Sequence, residues 1–285
     1  MIIYLLKNAG VLKTTGFELQ AKWSDKLSNG FAYSVGVALS DDKAEVLSYP
    51  SNPTNKIGDG VLYKGYTVGD IWGYETGGIL QESDFDGVGP NGKPLYHGAY
   101  FKGGQPYPGY VWYQDLDHDG VITSGLSTVD DPGDKKVIGN NAPRYRYNIT
   151  ANFQYKGFDL DLMFQGVGKR DYWLKDVSSY WGGGAGSWET YNQSWTPERT
   201  DAKFPMYGSG IGSYAQSGYL LDASYIKLKQ VILGYTFPKA LIGKVGLKKL
   251  RLNIAAYNLF TLSDVAQVLC IRTICLTHTT PKRYV

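Results

Sequence analysis

Three aspartates at alternate positions are the clearest chemical signal in this sequence. They lie in the stretch Asp115-Leu-Asp-His-Asp-Gly-Val-Ile122, as Asp115, Asp117 and Asp119. The spacing matches positions 1, 3 and 5 of a calcium loop, with Gly120 at the sharp turn and the carbonyl of Val121 at position 7. Carboxylates this close repel one another unless a hard cation neutralises them. The pattern therefore predicts a Ca²⁺ site built from oxygen ligands.

The ligand that would close this loop is not at its usual place. Position 12 is Leu126 rather than glutamate. A later carboxylate could close the site if residues 123–129 loop out, and the candidates are Asp130, Asp131 and Asp134. No helices are predicted on either side, so a complete EF-hand is not implied. The alternative is an aspartate-rich surface turn whose carboxylates bond to their own backbone N–H groups.

Catalytic patterns are otherwise absent from the sequence. The three histidines, His97, His118 and His278, are scattered, and there is no P-loop, nucleotide fingerprint or HExxH motif. Asp159 and Asp161 have the spacing of paired carboxylates, but strand alternation places both on one hydrophilic side. The sequence therefore predicts a protein that is not an enzyme.

Tryptophans in the long connecting segments are candidates for substrate binding. Indole rings could stack on sugars or on a partner protein, although loop packing uses the same residues. Both readings stay open for the four candidates, Trp72, Trp112, Trp181 and Trp188.

The elements that position these residues are predicted from one hairpin. From Arg144 to Tyr155, apolar or aromatic side chains alternate with Arg, Asn, Thr and Gln without a break. After Lys156-Gly157, Phe158 to Gly166 alternates in the same way. A period of two over about ten residues indicates strands, and strands of about 9–11 residues suit a tilted membrane-spanning barrel. A sandwich hairpin with one face in a core is the alternative.

Four further strands are predicted, over residues 15–23, 31–39, 224–237 and 249–261. Paired strands are joined by short connections, whereas pairs are separated by long segments, residues 41–143 and 167–223. Outer-membrane barrels show this asymmetry between short periplasmic turns and long extracellular loops. The fold class predicted is all-β: a partial antiparallel transmembrane β-barrel with about six long strands and long extracellular loops.

Composition agrees with this prediction. The chain contains 36 Gly, 24 Tyr and 7 Trp, which suits aromatic girdles and glycine-rich loops. A net charge of +3 without clustered Lys and Arg argues against nucleic-acid binding. No run approaches the roughly 18 apolar residues of a transmembrane helix. The apolar start, residues 1–7, is too short for a signal peptide.

Six strands cannot close a membrane barrel, whose smallest bacterial forms have about eight. We therefore expect the chain to be part of a larger protein. Residues 263–285 lose the alternation and hold both cysteines, Cys270 and Cys275. This break in composition predicts a frameshifted or non-native tail, and we assign the cysteines no disulfide or metal role. A genuine short strand with incidental cysteines is the alternative.

Several stretches together resemble the C-terminal barrel part of the SusC/RagA-type TonB-dependent outer-membrane transporters of Bacteroidetes. They occur in the family's order over about residues 8–262: Asn8–Glu18, Gly73–Ile79, Pro108–Ile122, Asp134–Asn140, Trp195–Glu198, Tyr225–Pro238 and Asn258–Thr261. No single stretch is decisive, but the combination is specific. Residues 1–262 are therefore interpreted as barrel, and residues 263–285 as the anomalous tail.

The resemblance implies a barrel of about 22 strands with an N-terminal plug, importing oligosaccharides or peptides. It also implies a SusD-like surface lipoprotein as a lid, the TonB complex as energy source, and the outer membrane as location. In the family pattern an aspartate just before Val-Ile-Gly follows the acidic turn, which favours Asp134 as the closing ligand. Ser124–Pro132 would then be partly an insertion.

Departures from the family set further expectations. The chain shows no signal peptide, plug, TonB-contact segment or terminal aromatic strand, so we expect that it cannot transport by itself. Two rival classes remain at this stage: a secreted, calcium-stabilised β module that binds glycans, and a surface glycan hydrolase. A receptor for iron chelates or cobalamin is the alternative within the transporter class.

Overall fold

The structure is a computed structural model that describes residues 9–173, 191–209 and 214–265. Its strands, in chain order, are β1 Val11–Lys26, β2 Ala32–Ser48, β3 Asp70–Tyr74, β4 Thr76–Ile79, β5 Phe85–Val88, β6 Pro94–Tyr96, β7 Tyr100–Phe101, β8 Val111–Tyr113, β9 Val121–Ile122, β10 Lys135–Asn140, β11 Arg144–Tyr155, β12 Phe158–Lys169, β13 Asp171–Trp173, β14 Leu220–Asp222, β15 Tyr225–Thr236 and β16 Arg251–Leu262. Helical turns are short: α1 Lys239–Ile242 and 3-10 turns at Glu82–Asp84, Ser217–Tyr219 and Gly243–Val245. In the described ranges, no helix is both long and apolar enough to cross a bilayer.

The chain divides into two compact units. One, here called the sheet unit, comprises Thr15–Asp42, Pro143–Arg170 and Asp222–Val285. The other, here called the loop unit, comprises Met1–Thr14, Lys43–Ala142 and Asp171–Leu221.

Six long strands form one antiparallel sheet in the described residues, in the order β1-β2-β11-β12-β15-β16. β1 and β2 have 16 and 17 residues, and the other four have 12 each. All six strands predicted from alternation are confirmed, and each short connection joins neighbours. β1 and β16 each pair with one neighbour only, so the described sheet has two open edges, and the residues of both strands are exposed almost throughout. Open strand edges carry unpaired N–H and C=O groups.

Two bulges interrupt the simple alternation expected along β15, one in its pairing with β12 and one in its pairing with β16. The β12–β15 register shifts at Met163 and Phe164, and the β15–β16 register shifts between Leu228 and Gln230. In β15 the apolar series therefore changes phase, from Ile226 and Leu228 to Val231, Leu233 and Tyr235. A bulge adds one residue to one strand. It keeps both halves of the series on the same side of the sheet.

Glycines on two inner strands, Gly234 on β15 and Gly166 on β12, let side chains of other strands lie over the bare backbone. A Cβ at Gly234 would lie 2.5 Å from Asp159 Oδ2 and 2.6 Å from Arg251 Nη2. These two charged groups, from β12 and β16, form an ion pair over the glycine of β15. On the other face, a Cβ at Gly166 would lie 2.3 Å from the ring of Tyr147. At Gly234 the bare backbone is thus part of the contact between β12 and β16, which are not neighbours in the sheet.

The loop unit has packed cores of its own, which the sequence did not predict. One core contains Val46, Ile57, Tyr63 and Tyr66, which are at most 7% exposed. A second contains Tyr74, Tyr113 and Ile122, packed by Ala99, Phe101 and Val111. The described residues of the loop unit also form five two-stranded sheets. β3–β10, β4–β8 and β5–β6 are antiparallel, β7–β9 is parallel, and β13 pairs with β14. Where the structure describes them, the long connections are therefore folded.

Replacing Gly234 by alanine is expected to destabilise the sheet unit by on the order of 1–2 kcal/mol, because the added methyl group displaces the Asp159–Arg251 ion pair. Urea unfolding of the chain in detergent micelles, followed by tryptophan fluorescence, measures this change. Gly243→Ala is the matched control, because a Cβ there meets nothing within 4 Å and φ is −61°. Equal stability of the two variants would contradict the interpretation.

Candidate functional site

One face of the sheet is a continuous apolar surface. The strand register places Val37, Ile149, Phe164 and Leu228 in one row across four strands. A second row contains Val35, Ala151, Leu162, Val231 and Ala256. Each row runs across the strands, so apolar side chains cover this face from β2 to β15 in the first row and from β2 to β16 in the second.

Nothing in the described sheet unit covers this face. Val35 is 37% exposed and Val37 is 43% exposed, although both lie in central rows of the sheet. Among the described residues of this unit, the buried apolar side chains are Val167 and Ile242 alone, and both lie away from the middle rows. A soluble sheet of this size would bury such a face in a core. The surface is therefore suited to contact with lipid.

Aromatic side chains gather at the end of the sheet where the short connections lie. Phe31 stacks near Tyr33, Phe153 and Tyr155, with ring centroids 6.1–6.3 Å apart. In the neighbouring strands the centroids of Phe158 and Tyr235 are 4.4 Å apart, and those of Tyr235 and Phe237 are 4.9 Å apart. Aromatic girdles mark the water interfaces of membrane barrels. This cluster has the composition of such a girdle.

The opposite face carries a chain of polar contacts. Ser34 Oγ donates to Asn152 Oδ1 at 2.8 Å, and the amide nitrogen of Asn152 donates to Asp161 Oδ1. The Asp159–Arg251 ion pair continues these contacts toward β16. The predicted hydrophilic role of Asp159 and Asp161 agrees with this geometry, because both carboxylates are engaged with neighbouring strands. This face resembles the wall of a water-filled lumen rather than an acid–base pair.

Paired charges hold β2 and β11 together at the far end of their register. Arg144 donates from Nε and Nη2 to the two carboxylate oxygens of Asp41, each at 2.5 Å, and the N–H of Tyr145 also donates to Asp41 at 3.2 Å. Asp41 is only 8% exposed, and Arg146 forms a second pair with Asp42. Sequence reasoning missed this site. Its signal was two adjacent aspartates and an Arg-x-Arg pattern at the ends of paired strands.

The acidic turn lies between two strands of the loop unit. β8 precedes it and β9 follows it, and Tyr113 and Ile122 on these strands are buried in the second loop core. Within the turn, Asp115 accepts N–H groups from His118 at 2.7 Å and Gly120 at 2.8 Å. His118 and Gly120 both have positive φ, +61° and +84°. The sharp turn expected at Gly120 is therefore present.

Asp134 joins this turn, as the resemblance suggested. It is fully buried, and its oxygens accept N–H groups from Leu116 and Thr123, both at 2.7 Å. Ligand atoms of Asp115, Asp117 and Asp134 lie within 4.8 Å of one another. Asp119 is not in this group, and its Oδ1 accepts the N–H of Val121 at 2.8 Å. The geometry thus brings together three of the predicted ligands, while Asp119 and Val121 stay predictions.

Ionisation at the turn reflects crowding of the carboxylates. Partial burial opposes ionisation of Asp115, but N–H donors from Gly120 and His118 outweigh it and lower the pKa of that carboxyl. The N–H of Asp119 favours ionised Asp117, yet desolvation and the charges of Asp134 and Asp119 prevail and raise its pKa. A carboxyl that resists ionisation for this reason would gain from a nearby cation.

The core beneath the turn is aromatic. Burial raises the pKa of Tyr74 to about 12 and raises that of Tyr113 further. Both hydroxyl groups therefore stay neutral at physiological pH and act in packing and hydrogen bonding. Gln216, fully buried, donates to the Tyr113 hydroxyl at 3.3 Å.

The tryptophans singled out as substrate contacts have mixed surroundings. Trp72 is partly buried, and its indole N–H donates to Tyr63 at 2.8 Å beside the first loop core. Trp112 is also partly buried. Its ring packs so closely on Gly77 that a Cβ at that position would lie 2.3 Å from the ring atoms. These contacts give both residues a packing role, and stacking on a ligand stays a prediction. Trp181, Trp188 and both cysteines lie outside the described residues.

Comparison with known proteins gives relatives that match almost the whole chain. No family model matches. Three proteins of Formosa agariphila are similar: TonB-dependent receptor P3 at 27% identity over 91% of this chain and 25% of its own length, receptor P26 at 25% identity over 91% and 26%, and receptor P39 at 23% identity over 90% and 27%. The chain thus spans about a quarter of the length of these relatives.

Two solved structures with a similar fold are also transporters. The structure of the RagAB peptide transporter has a TM-score of 0.66 at 18% identity, covering 90% of this chain and 26% of that chain. The RagAB peptide importer in its closed-closed state has a TM-score of 0.63 at 17% identity, covering 90% and 26%. At these identities the likeness concerns the fold.

The fold and its two faces define a segment of an antiparallel β-barrel wall with structured loops. The relatives and the structural neighbours confirm the predicted resemblance to the SusC/RagA-type TonB-dependent transporters.

Asp134→Asn is expected to lower the free energy of local opening of the acidic turn by on the order of 1–3 kcal/mol. The reason is that the carboxylate accepts one N–H group on each of its two oxygens, whereas an amide has a single acceptor oxygen. Hydrogen exchange of the Leu116 and Thr123 amides at fixed pH measures the effect locally. Asp130→Asn, at an exposed neighbouring position, is the control and should leave both amides protected. Unchanged protection in Asp134→Asn would refute the assigned role.

Proposed function

We propose that this chain forms part of the wall and outer loops of a TonB-dependent outer-membrane importer of oligosaccharides or peptides. The observation that carries the proposal is the uncovered apolar face on six long antiparallel strands. The polar chain on the opposite face supports it, because a barrel wall needs lipid contact on one side and water on the other. The similarity to TonB-dependent receptors supports the class of energy coupling.

The partners follow from the same proposal. A SusD-like surface lipoprotein would bind over the loops, and the TonB complex would act through a plug domain of the whole protein. The RagAB structures are those of a peptide transporter, which supports an oligomeric nutrient as substrate. We infer that this chain alone does not transport, since the six strands of its described sheet are fewer than the roughly eight of the smallest closed membrane barrels.

The secreted, glycan-binding module is the weaker alternative. Such a module would need an apolar core beneath the sheet, and in the described sheet unit the central apolar rows are exposed instead. No site geometry in the described residues favours a hydrolase.

Lipid contact can be tested at adjacent residues of β2. Val37 lies on the apolar face and Ala38 on the polar face. Single cysteines, Val37→Cys and Ala38→Cys, are introduced with Cys270 and Cys275 changed to serine, and each is labelled with a small fluorophore after insertion into phosphatidylcholine vesicles. Brominated lipid tails should quench the label at 37 strongly and the label at 38 weakly. Equal quenching, or the reverse order, would overturn the proposed membrane wall.

We further propose that the acidic turn binds Ca²⁺ and thereby stabilises the outer loops. Oxygens that share one Ca²⁺ lie at most about 5 Å apart, which the 4.8 Å cluster of Asp115, Asp117 and Asp134 meets. Each carboxylate oxygen has two lone pairs, so those already bonded to N–H groups can still serve as ligands. Bound Ca²⁺ would offset the mutual repulsion that raises the pKa of Asp117.

Terbium luminescence tests this site, because Trp112 and Tyr113 next to the turn can sensitise a bound lanthanide. Ca²⁺ should displace Tb³⁺, and Asp117→Asn should weaken Ca²⁺ binding by about tenfold or more, since an anionic ligand is lost. The exposed Asp130→Asn variant again serves as control. Ca²⁺ should also raise the unfolding midpoint of the loop unit in a concentration-dependent manner. Luminescence that neither Ca²⁺ nor Asp117→Asn reduces would argue against the site.

A further inference from the structure

The connection between β15 and β16 has an unusual composition. Residues 238–250 contain four lysines, Lys239, Lys244, Lys248 and Lys249, and no aspartate or glutamate. All four side chains are exposed, and none forms an ion pair with another described residue. This density of positive charge contrasts with the chain as a whole, whose net charge is +3.

The connection is folded rather than extended. α1 is anchored by Ile242, which is 4% exposed, and Leu247 N donates to the carbonyl of Ile242 at 3.2 Å. Gly246 ends the following 3-10 turn with φ +73°. Phe237 N donates to Leu250 O at 3.0 Å and closes the base of the connection. The lysines are therefore held on a compact segment.

Two large apolar side chains project beside these lysines. Leu241 is 59% exposed and Leu247 is 46% exposed, in contrast to the buried Ile242 between them in sequence. Exposed leucines interleaved with lysines are the composition of segments that lie in a membrane interface, where apolar side chains enter the acyl boundary and ammonium groups meet phosphates.

The position of the connection agrees with its composition. It follows Tyr235 and Phe237, which belong to the aromatic cluster at the end of the sheet. The register Phe158↔Tyr235 places the Lys156-Gly157 turn at the same end, and Lys156 lies 5.1 Å from the centroid of the Tyr155 ring. Cationic groups just beyond an aromatic girdle are at headgroup depth when the apolar face contacts lipid.

We propose that residues 238–250 form a docking surface for anionic phospholipid headgroups, with Lys239, Lys244, Lys248 and Lys249 contacting phosphates and Leu241 and Leu247 inserted among the first acyl carbons. This assignment rests on the proposed membrane wall. It adds a lipid preference, for anionic over zwitterionic headgroups, at the end of the barrel that carries the short connections.

The test compares insertion of the full 285-residue chain into phosphatidylcholine vesicles with insertion into vesicles that also contain about 30 mol% phosphatidylglycerol. At low salt the anionic vesicles should bind the chain at least about tenfold more tightly, and the advantage should shrink at high salt as charges are screened. Insertion into the neutral vesicles reports on the membrane wall alone. Failure there would count against the proposed function, and loss of only the anionic advantage would count against this surface.

A matched pair of variants assigns the effect to the connection. Changing its four lysines to glutamine should remove most of the anionic advantage, since each lysine near the surface contributes about fivefold. Changing four exposed lysines of the loop unit, Lys56, Lys64, Lys93 and Lys102, to glutamine should retain it. Equal loss in both variants, or loss in neither, would overturn the proposal. Circular dichroism and urea unfolding verify that each variant folds.

The exposed leucines separate a bilayer from an acidic polypeptide as the partner. Leu241→Ser combined with Leu247→Ser should weaken binding to the anionic vesicles several-fold while the salt dependence stays the same. If the leucine variant binds as the wild type does and soluble polyglutamate competes fully, the surface recognises an acidic polypeptide and the lipid assignment is wrong.

Discussion

Backbone hydrogen bonding between strands is the constraint on which this structure depends. A strand that faces lipid has no water to satisfy its N–H and C=O groups, so every such group needs a partner on the next strand. The register of β2, β11, β12 and β15 provides those partners without interruption, except at bulges. Since side chains then alternate strictly between faces, the same register separates the lipid surface from the polar wall. The ion pairs and glycine crossings act within this frame.

The constraint explains why the strands were predictable. Alternation of apolar and polar residues in Arg144–Tyr155 reports directly on which side of the sheet each side chain occupies, and six such segments were recognised correctly. The phase change in β15 was not recognised, because a bulge is a property of pairing with β12 and β16. Within β15, Leu228-Lys-Gln-Val231 reads only as a brief loss of period.

The loop unit was less predictable, for a physical reason. Its cores are assembled from single residues far apart in the chain: Tyr74 and Tyr113 come from two short strands, and Gln216 reaches the same cluster from a third segment. No local period marks such a core, and glycine-rich turns between the parts conceal it. The acidic turn was different, since the spacing of Asp115 and Asp117 is local. Asp134 was one of three candidate closing ligands and was preferred only through resemblance to a family, because its 18-residue separation from Leu116 carries no local signal.

Charge is distributed in this chain according to the solvent that each part meets. On the polar face, Asp159 and Arg251 satisfy each other across a glycine, and at the end of the register Asp41 is nearly buried against Arg144. The short connection after β15 has no such pairing, and its four lysines are exposed beside leucines. Paired charges fix strands relative to one another, whereas unpaired charges are available to an external partner. In a wall with lipid on one side, the unpaired positive segment next to the aromatic cluster is therefore best explained by what lies outside the protein, and phosphate headgroups are the anions present at that depth.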